Sequence, residues 1–294
     1  MPKRVKFDFE INFTNGGGIQ GQDFRLDIDG DDIEDKVLAD YIVKDMQLLM
    51  VGEVRILNKE IITEAHKRQP INSPIDSAYI DLSHVIYDGL VTYKGLPAPI
   101  MCDYLSREAS KEKYAEGTQF QIGKIEMVMN TGTYVDCPFH RYEDGKDLSE
   151  VELESFADLE GIVIRANHKN GLAVTAEAFK GKEIRNRAVL VHTGWDEHWT
   201  TDQYFENHPF LTEDAAIYLR DCGVKLVGID SLNIDYTGGG ERPVHTTLLR
   251  AEILIVEHLC NLANVPDEGF TFSAVPPKFK GAGTFPVRAF ARVK

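Results

Sequence analysis

Apolar and polar residues alternate from Val5 to Phe13, with Val5, Phe7, Phe9, Ile11 and Phe13 against Lys6, Asp8, Glu10 and Asn12. A period of two sends the two sets to opposite faces of an extended chain, so the segment predicts a half-buried strand. The run Asn15-Gly16-Gly17-Gly18 ends it. It lacks the lysine and the serine or threonine of a phosphate-binding loop and therefore predicts a turn. A second short strand is expected from Phe24 to Ile28. After Asp29-Gly30-Asp31-Asp32, the spacing of Ile33, Val37, Leu38, Tyr41, Ile42 and Leu48 predicts a helix, with Asp31 or Asp32 placed to cap it. Val54 to Ile62 is a further strand or helix segment. Arg68 to Pro74, polar and punctuated by Pro70 and Pro74, reads as a linker. A boundary near residue 75 divides an N-terminal strand-helix appendage (1–74) from a main domain (75–294).

Beyond that boundary, strand-like runs at Ala78 to Leu82, Gly161 to Ile164, Ala188 to His192 and Val224 to Ile229 alternate with helical patterns over 211–222 and 245–263. The fold class is α/β. The functional search therefore goes to the loops that follow the strands.

Composition narrows the partners. The 47 acidic and 32 basic residues leave a net charge of −15, which argues against nucleic acid and against an anionic membrane surface. No stretch approaches the ~18 consecutive apolar residues of a membrane span, and the basic start Met1 to Lys6 runs into Asp8 and Glu10 without an apolar signal core. Cys102, Cys137, Cys222 and Cys260 form no CxxC pair, which fits a reducing cytoplasm.

The densest polar cluster runs from Asn130 to His140. Asp136 and His140 flank Pro138, which breaks regular structure, so both side chains are expected to project from one rigid loop. By spacing alone the pair is either a metal site or a loop-stabilising hydrogen bond. Further on, His245 opens a helical pattern and Glu257 follows the apolar run Ile253 to Val256. That is an expensive place for a carboxylate unless a cation or donors receive it. A metal, or a buried ion pair with Arg250 or Arg288, would satisfy it. Cys137, three before His140, invites a thiol-nucleophile reading, against which a buried small residue is the plainer one. Trp195 and Trp199 read as an aromatic wall or as core. His192, His198 and His208 show no partner by spacing and read as structural or solvated. Gly238-Gly239-Gly240 reads as a mobile loop leading to His245.

The region from about residue 78 to the end resembles the cyclase family of metal-dependent hydrolases, which includes kynurenine formamidase and isatin hydrolase. The resemblance rests on Asp81-Leu82-Ser83-His84 with Asp88-Gly89, on Gly132, Thr133, Asp136, Pro138 and His140 of the signature HxGTHxDxPxH, and on His192 to Trp195. It continues through Gly228 to Ser231, the His245 and Glu257 pair, and Gly283 to Arg288. It implies a swivelling β/β/α fold, a mixed, barrel-like sheet with outer helices, in a homodimer or homotetramer. It also implies a metal site. Where the signature has its first two histidines this chain has Asn130 and Tyr134, so of the family's two positions only the second survives.

The resemblance thus implies one divalent ion (Zn, Mn or Fe) on Asp136, His245 and Glu257, with His140 as a base or further ligand and Tyr134 and Asn130 as polar groups oriented at substrate. The expected activity is metal-dependent hydrolysis of an amide C–N bond in a cyclic amide or imide, or in an N-formyl or N-acyl small molecule, with metal-activated water as nucleophile. The alternatives are a non-catalytic small-molecule binder that lost the first metal position, and a hydrolase built on Cys137. The stripe of Phe7, Phe9, Ile11 and Phe13 suggests that the appendage covers a sheet edge or contributes to subunit contacts.

Overall fold

The alternating segment forms β1 (Lys3–Phe13), flanked on either side by antiparallel β2 (Gly18–Ile28) and β3 (Val51–Thr63) in the order β2-β1-β3. These coordinates are a computed structural model that describes residues 3–28, 30–46, 48, 50–63 and 79–293. The chain separates into two compact units, Met1–Pro74 and Ile75–Lys294. The linker expected over Arg68 to Pro74 lies outside the described residues, as do Asp29 and Ala78.

In the first unit the glycine run is the turn between β1 and β2, with Gly16 and Gly17 at φ +90° and +82°. Helix α1 (Asp35–Asp45) lays Leu38 and Ile42 onto Val5, Phe7, Phe9 and Ile11. The aromatic stripe is therefore spent on the unit's own small core, which removes the ground for reading it as an exposed contact surface. The helix cap also differs from expectation. Its N-cap is Glu34, without a side-chain bond, because Asp31 pairs with Lys3 and Asp32 with the Ile33 N–H and with Lys59.

The second unit runs in chain order through β4 (Tyr79–Asp81), β5 (Ile100–Leu105), α2 (Arg107–Lys111), β6 (Ile122–Glu126), β7 (Tyr134–Asp136), β8 (Leu159–Arg165), β9 (Ala173–Val174) and β10 (Ala188–His192). It continues with β11 (Phe210–Leu211), α3 (Glu213–Cys222), β12 (Leu226–Ile229), α4 (Pro243–Arg250), β13 (Leu254–Glu257), β14 (Phe270–Ser273), β15 (Thr284–Pro286) and β16 (Phe290–Val293). Nine strands make one mixed sheet in the order β15-β7-β13-β12-β10-β8-β14-β16-β4. Its centre, β13-β12-β10-β8, is parallel, and its flanks are antiparallel. Beyond β4 the chain turns back on the centre: Ser83 bridges Leu259, and the Leu82 carbonyl accepts the Cys260 N–H. The sheet is thus curled into the barrel-like form of the swivelling β/β/α fold. One core fills its inside, with Leu82, Val135, Cys137, Val256 and Phe272, while another packs α3 and α4 outside through Leu219, Leu248 and Ile255.

The helix expected over 245–263 ends at Arg250, and Leu254 to Glu257 enter the sheet as β13. The reason is burial on both faces. A parallel strand covered on each side reads as a continuous apolar run, which periodicity alone does not separate from a buried helix.

Candidate metal centre

Strand register assembles the site. Tyr134 and Asp136 are two apart on β7 and so share a face. Glu257 on β13 lies opposite Tyr134, and Thr284 on β15 lies opposite Asp136. Val135 and Cys137 go to the other face, into the apolar core. After β7 the turn Pro138–His140 brings His140 back over Asp136. The turn is tight against β15: a Cβ on Gly283 would lie 2.4 Å from the His140 nitrogen, so only glycine fits there.

His245 arrives from the first turn of α4. Pro243 occupies the first helical position, where its missing donor costs nothing. Asp235 accepts the next two free N–H groups, from Val244 at 2.8 Å and His245 at 3.0 Å, and also the His245 Nδ1–H at 2.6 Å. That last bond puts a ring proton on Nδ1 and turns Nε2 toward the two other carboxylates. Nε2 stands 3.7 Å from Asp136 Oδ2 and 3.8 Å from Glu257 Oε1. Both separations are too long for hydrogen bonds. They are near the ~3.3–3.6 Å between donor atoms that share one ion at bonds of ~2.0–2.2 Å in tetrahedral geometry. Among the described residues, Asp136, His140 and His245 form one converging set, with one ligand atom from each within 4.8 Å of the others. Glu257 stands beside this set, near His245.

The electrostatics point the same way. Asp136, Asp235 and Glu257 are all essentially inaccessible to solvent, as is His245, so three carboxylates share one buried imidazole, with the more exposed His140 beside Asp136. Burial alone would raise Asp136, but the imidazoles of His140 and His245 and the Thr284 hydroxyl outweigh it and hold the carboxyl below its ordinary range. Burial drives Glu257 upward, with His245 opposing. For His245 burial is outweighed by Asp136 and Asp235, which draw the imidazole upward. Glu257 receives the Ile234 N–H and the Tyr134 hydroxyl, each at 2.6 Å. Asp136 Oδ1 receives the Thr284 hydroxyl. Asp136 Oδ2 has no hydrogen-bond partner at all. A buried carboxylate oxygen without a hydrogen-bond partner, facing an imidazole nitrogen, is where a cation belongs, and these residues fit a divalent metal ion, which would stand where a second ring proton otherwise sits.

Tyr134 is fully buried, and burial together with Glu257 and Asp136 raises its phenol well above the usual value. Its hydroxyl donates to Glu257. Asn130 and Tyr134 line one cleft of about 400 Å³ with Tyr93, Asn233, His140 and His245. Arg250 and Arg288 are engaged with Asp144 and Asp81, so neither supplies the ion pair considered for Glu257. Cys137 is corrected more sharply. It faces the core, and burial pushes its thiol up to about 12, which leaves no thiolate to attack. Arg242 pins the glycine-rich segment by donating to the carbonyls of Tyr236, Gly239 and Glu241. Of two further residues with clear roles here, Asp235 carries no signal in the sequence, and Thr284 stands there only within the resembling block Gly283 to Arg288.

A family model described as a putative cyclase matches residues 80–236, more than half of the chain. The kynurenine formamidase of Bacillus cereus is 28% identical over 216 residues, covering 74% of this chain and 98% of that protein. That of Geobacillus thermodenitrificans is 29% identical, over 60% of this chain and 83% of its own. A solved structure described as a potential metal-dependent hydrolase with cyclase activity superposes with a TM-score of 0.60 at 26% identity, over 72% of this chain and 96% of that one. Isatin hydrolase A from Labrenzia aggregata shares the fold at a TM-score of 0.64 and 21% identity, over 73% and 93%. With the curled sheet and the ordered blocks from Asp81 to Arg288, these matches establish that the chain belongs to the cyclase family.

Proposed function

We propose that the protein is a metal-dependent hydrolase that cleaves the amide C–N bond of a cyclic amide or imide, or of an N-formyl or N-acyl small molecule. The observation that carries this reading is the unpartnered, buried Asp136 Oδ2 facing His245 Nε2 within a cluster of three buried carboxylates. Asp136 and His245 would hold one Zn, Mn or Fe ion, with Glu257 alongside. When bound, such an ion supplies Lewis acidity, polarising the scissile carbonyl and making a water molecule a stronger acid.

The protein's own contribution centres on His140. Thr284 donates its hydroxyl proton to Asp136 Oδ1, so toward His140 Nδ1, 2.8 Å away, Thr284 Oγ1 can only accept. The ring proton is thereby placed on Nδ1, and Nε2 is left basic. His140 can take a proton from water there and return it to the leaving nitrogen. Asn130 and Asn233, at the cleft wall, offer amide donors to the substrate carbonyl. Turnover of N-formyl and cyclic amides that is abolished by a chelator, restored by Zn, Mn or Fe, and absent in His245→Ala is the expected result. Turnover insensitive to chelation would refute the mechanism.

The Tyr134 to Glu257 hydrogen bond supports a second reading, a small-molecule binder with no turnover, because a phenol occupies the place of a signature histidine. Ligand binding without hydrolysis by the metal-loaded protein would select it. Self-association, as a homodimer or homotetramer, and a cytoplasmic location belong to the same proposal. Among the described residues no helix is long and apolar enough to cross a membrane.

A further inference from the structure

A second convergence of donor atoms lies outside the residues that line the cleft. The short turn Trp195–His198 carries Glu197 and His198 up against His168. His168 Nε2 is 3.4 Å and His198 Nε2 3.6 Å from the same oxygen, Glu197 Oε1, and the three donor atoms lie within 4.8 Å of one another. The arrangement is built. The Thr193 carbonyl can only accept, and it receives both the backbone N–H of His168 at 2.9 Å and its Nδ1–H at 3.0 Å. The ring proton is therefore on Nδ1, and the Nε2 lone pair faces a carboxylate oxygen. Two electron-rich atoms at that distance repel unless a cation lies between them or the ring takes a second proton.

The floor of the arrangement is rigid as well. Trp195 is buried, anchored by its Nε1–H to the Tyr204 carbonyl at 3.1 Å, and packs at steep angles against both imidazoles, with centroids 5.2 and 4.6 Å away. Two oriented imidazoles and a carboxylate are the borderline donor set that zinc-type ions select, and partial exposure leaves room for water as a further ligand. Lys169 Nζ, 3.6 Å from the same Glu197 oxygen, is the competing cation, but its side chain is two-thirds exposed and free to swing into water.

We propose that His168, Glu197 and His198 bind one zinc-type divalent ion at an ancillary site. Its role is structural. The turn that supplies two of the ligands leads directly to Trp199, whose ring stacks on His84 at 3.9 Å and 6° and packs edge-on to His258, the residue after Glu257. An ion here ties the His168 turn to the segment that holds this aromatic wall. The inference is independent of the hydrolase reading, because it concerns a difference in metal content between variants.

The test is equilibrium dialysis of the full chain against Zn²⁺ with elemental analysis, for wild type, Glu197→Gln, His198→Ala and Asp136→Ala. Glu197→Gln and His198→Ala are expected to hold about one zinc per chain fewer than wild type, with affinity for that equivalent at least ~10-fold weaker in Glu197→Gln. Asp136→Ala should retain the equivalent. Glu197→Gln preserves size and hydrogen bonding, and circular dichroism confirms its fold. Equal zinc content in wild type, Glu197→Gln and His198→Ala would overturn the proposal. So would a doubly protonated His168 at neutral pH by NMR, since a plain ion pair would then explain the contact.

Discussion

Asp235→Asn tests whether the carboxylate cluster is organised around a cation. Asp235 holds the first turn of α4 and the His245 ring together through bonds of 2.8, 3.0 and 2.6 Å. Asparagine keeps the shape but offers one acceptor oxygen where there were two, so at least one buried donor loses its partner, a cost of about 1–3 kcal/mol. The bond to His245 also loses its charge assistance, which roughly halves its strength. Loss of a group that orients a metal-bound histidine weakens metal affinity about 10–100-fold, or about 1.4–2.7 kcal/mol.

In metal-free protein a second effect opposes these. One of three mutually repelling buried carboxylates disappears, which offsets the orphaned donor. Denaturant unfolding of Asp235→Asn should therefore show a small change in the stripped protein and a larger one in the zinc-saturated protein, the two differing by about 1.4–2.7 kcal/mol. Competition with a chromophoric chelator gives the affinity directly. An equal loss of stability in stripped and loaded protein, with unchanged zinc affinity, would show that Asp235 merely caps the helix, and the argument for a cation-centred cluster would fail.

Thr284→Val removes the hydroxyl between Asp136 and His140; kcat on any amide substrate should fall about 10–100-fold with KM nearly unchanged, and an equal rise in KM would mean that Thr284 serves binding instead. His84, stacked on Trp199, is pushed down to about 4 by burial. Its folded pKa lies below the unfolded value near ~6.5, so its contribution is complete above that pH and declines as pH falls from ~6.5 toward 4. His84→Phe keeps a ring on Trp199 and should flatten the acid limb of the unfolding midpoint between those values; an unchanged limb would assign the acid sensitivity elsewhere. The β5–β6 ribbon exposes Ile100, Met101, Tyr104, Ile122 and Ile125, and if it is the self-association surface, the double change Tyr104→Lys and Ile125→Lys should lower the mass by light scattering without changing the circular dichroism spectrum.

What the sequence shows of this site depends on which physical rule carries each residue. Asp136 and His140 are legible because four positions across a proline force a local geometry. Glu257 is legible because a carboxylate after Ile253 to Val256 needs a partner. The same apolar run was ambiguous in form, and only the sheet decided that it is a strand. Asp235 escapes notice, and the role of Thr284 does too, for a different reason. Asp235 lies ten positions before His245, across the glycine-rich segment, where no helical or strand period links the two. Thr284 meets Asp136 only through the pairing of β15 with β7.

That pairing has a consequence for how the site tolerates change. The side-chain period of a strand is two, so a slip of β7 by one residue would send Asp136 into the apolar core and bring Cys137 to the site. The register is held on both sides at once, by β13 through Ile255, Val256 and Glu257 and by β15 through Thr284, Phe285 and Pro286. Those same strands supply Glu257 and Thr284. The groups that hold Asp136 in place and the groups that set its charge thus come from one set of strand pairings. A substitution that loosens the β15–β7–β13 edge should therefore lower metal affinity even where it touches no ligand.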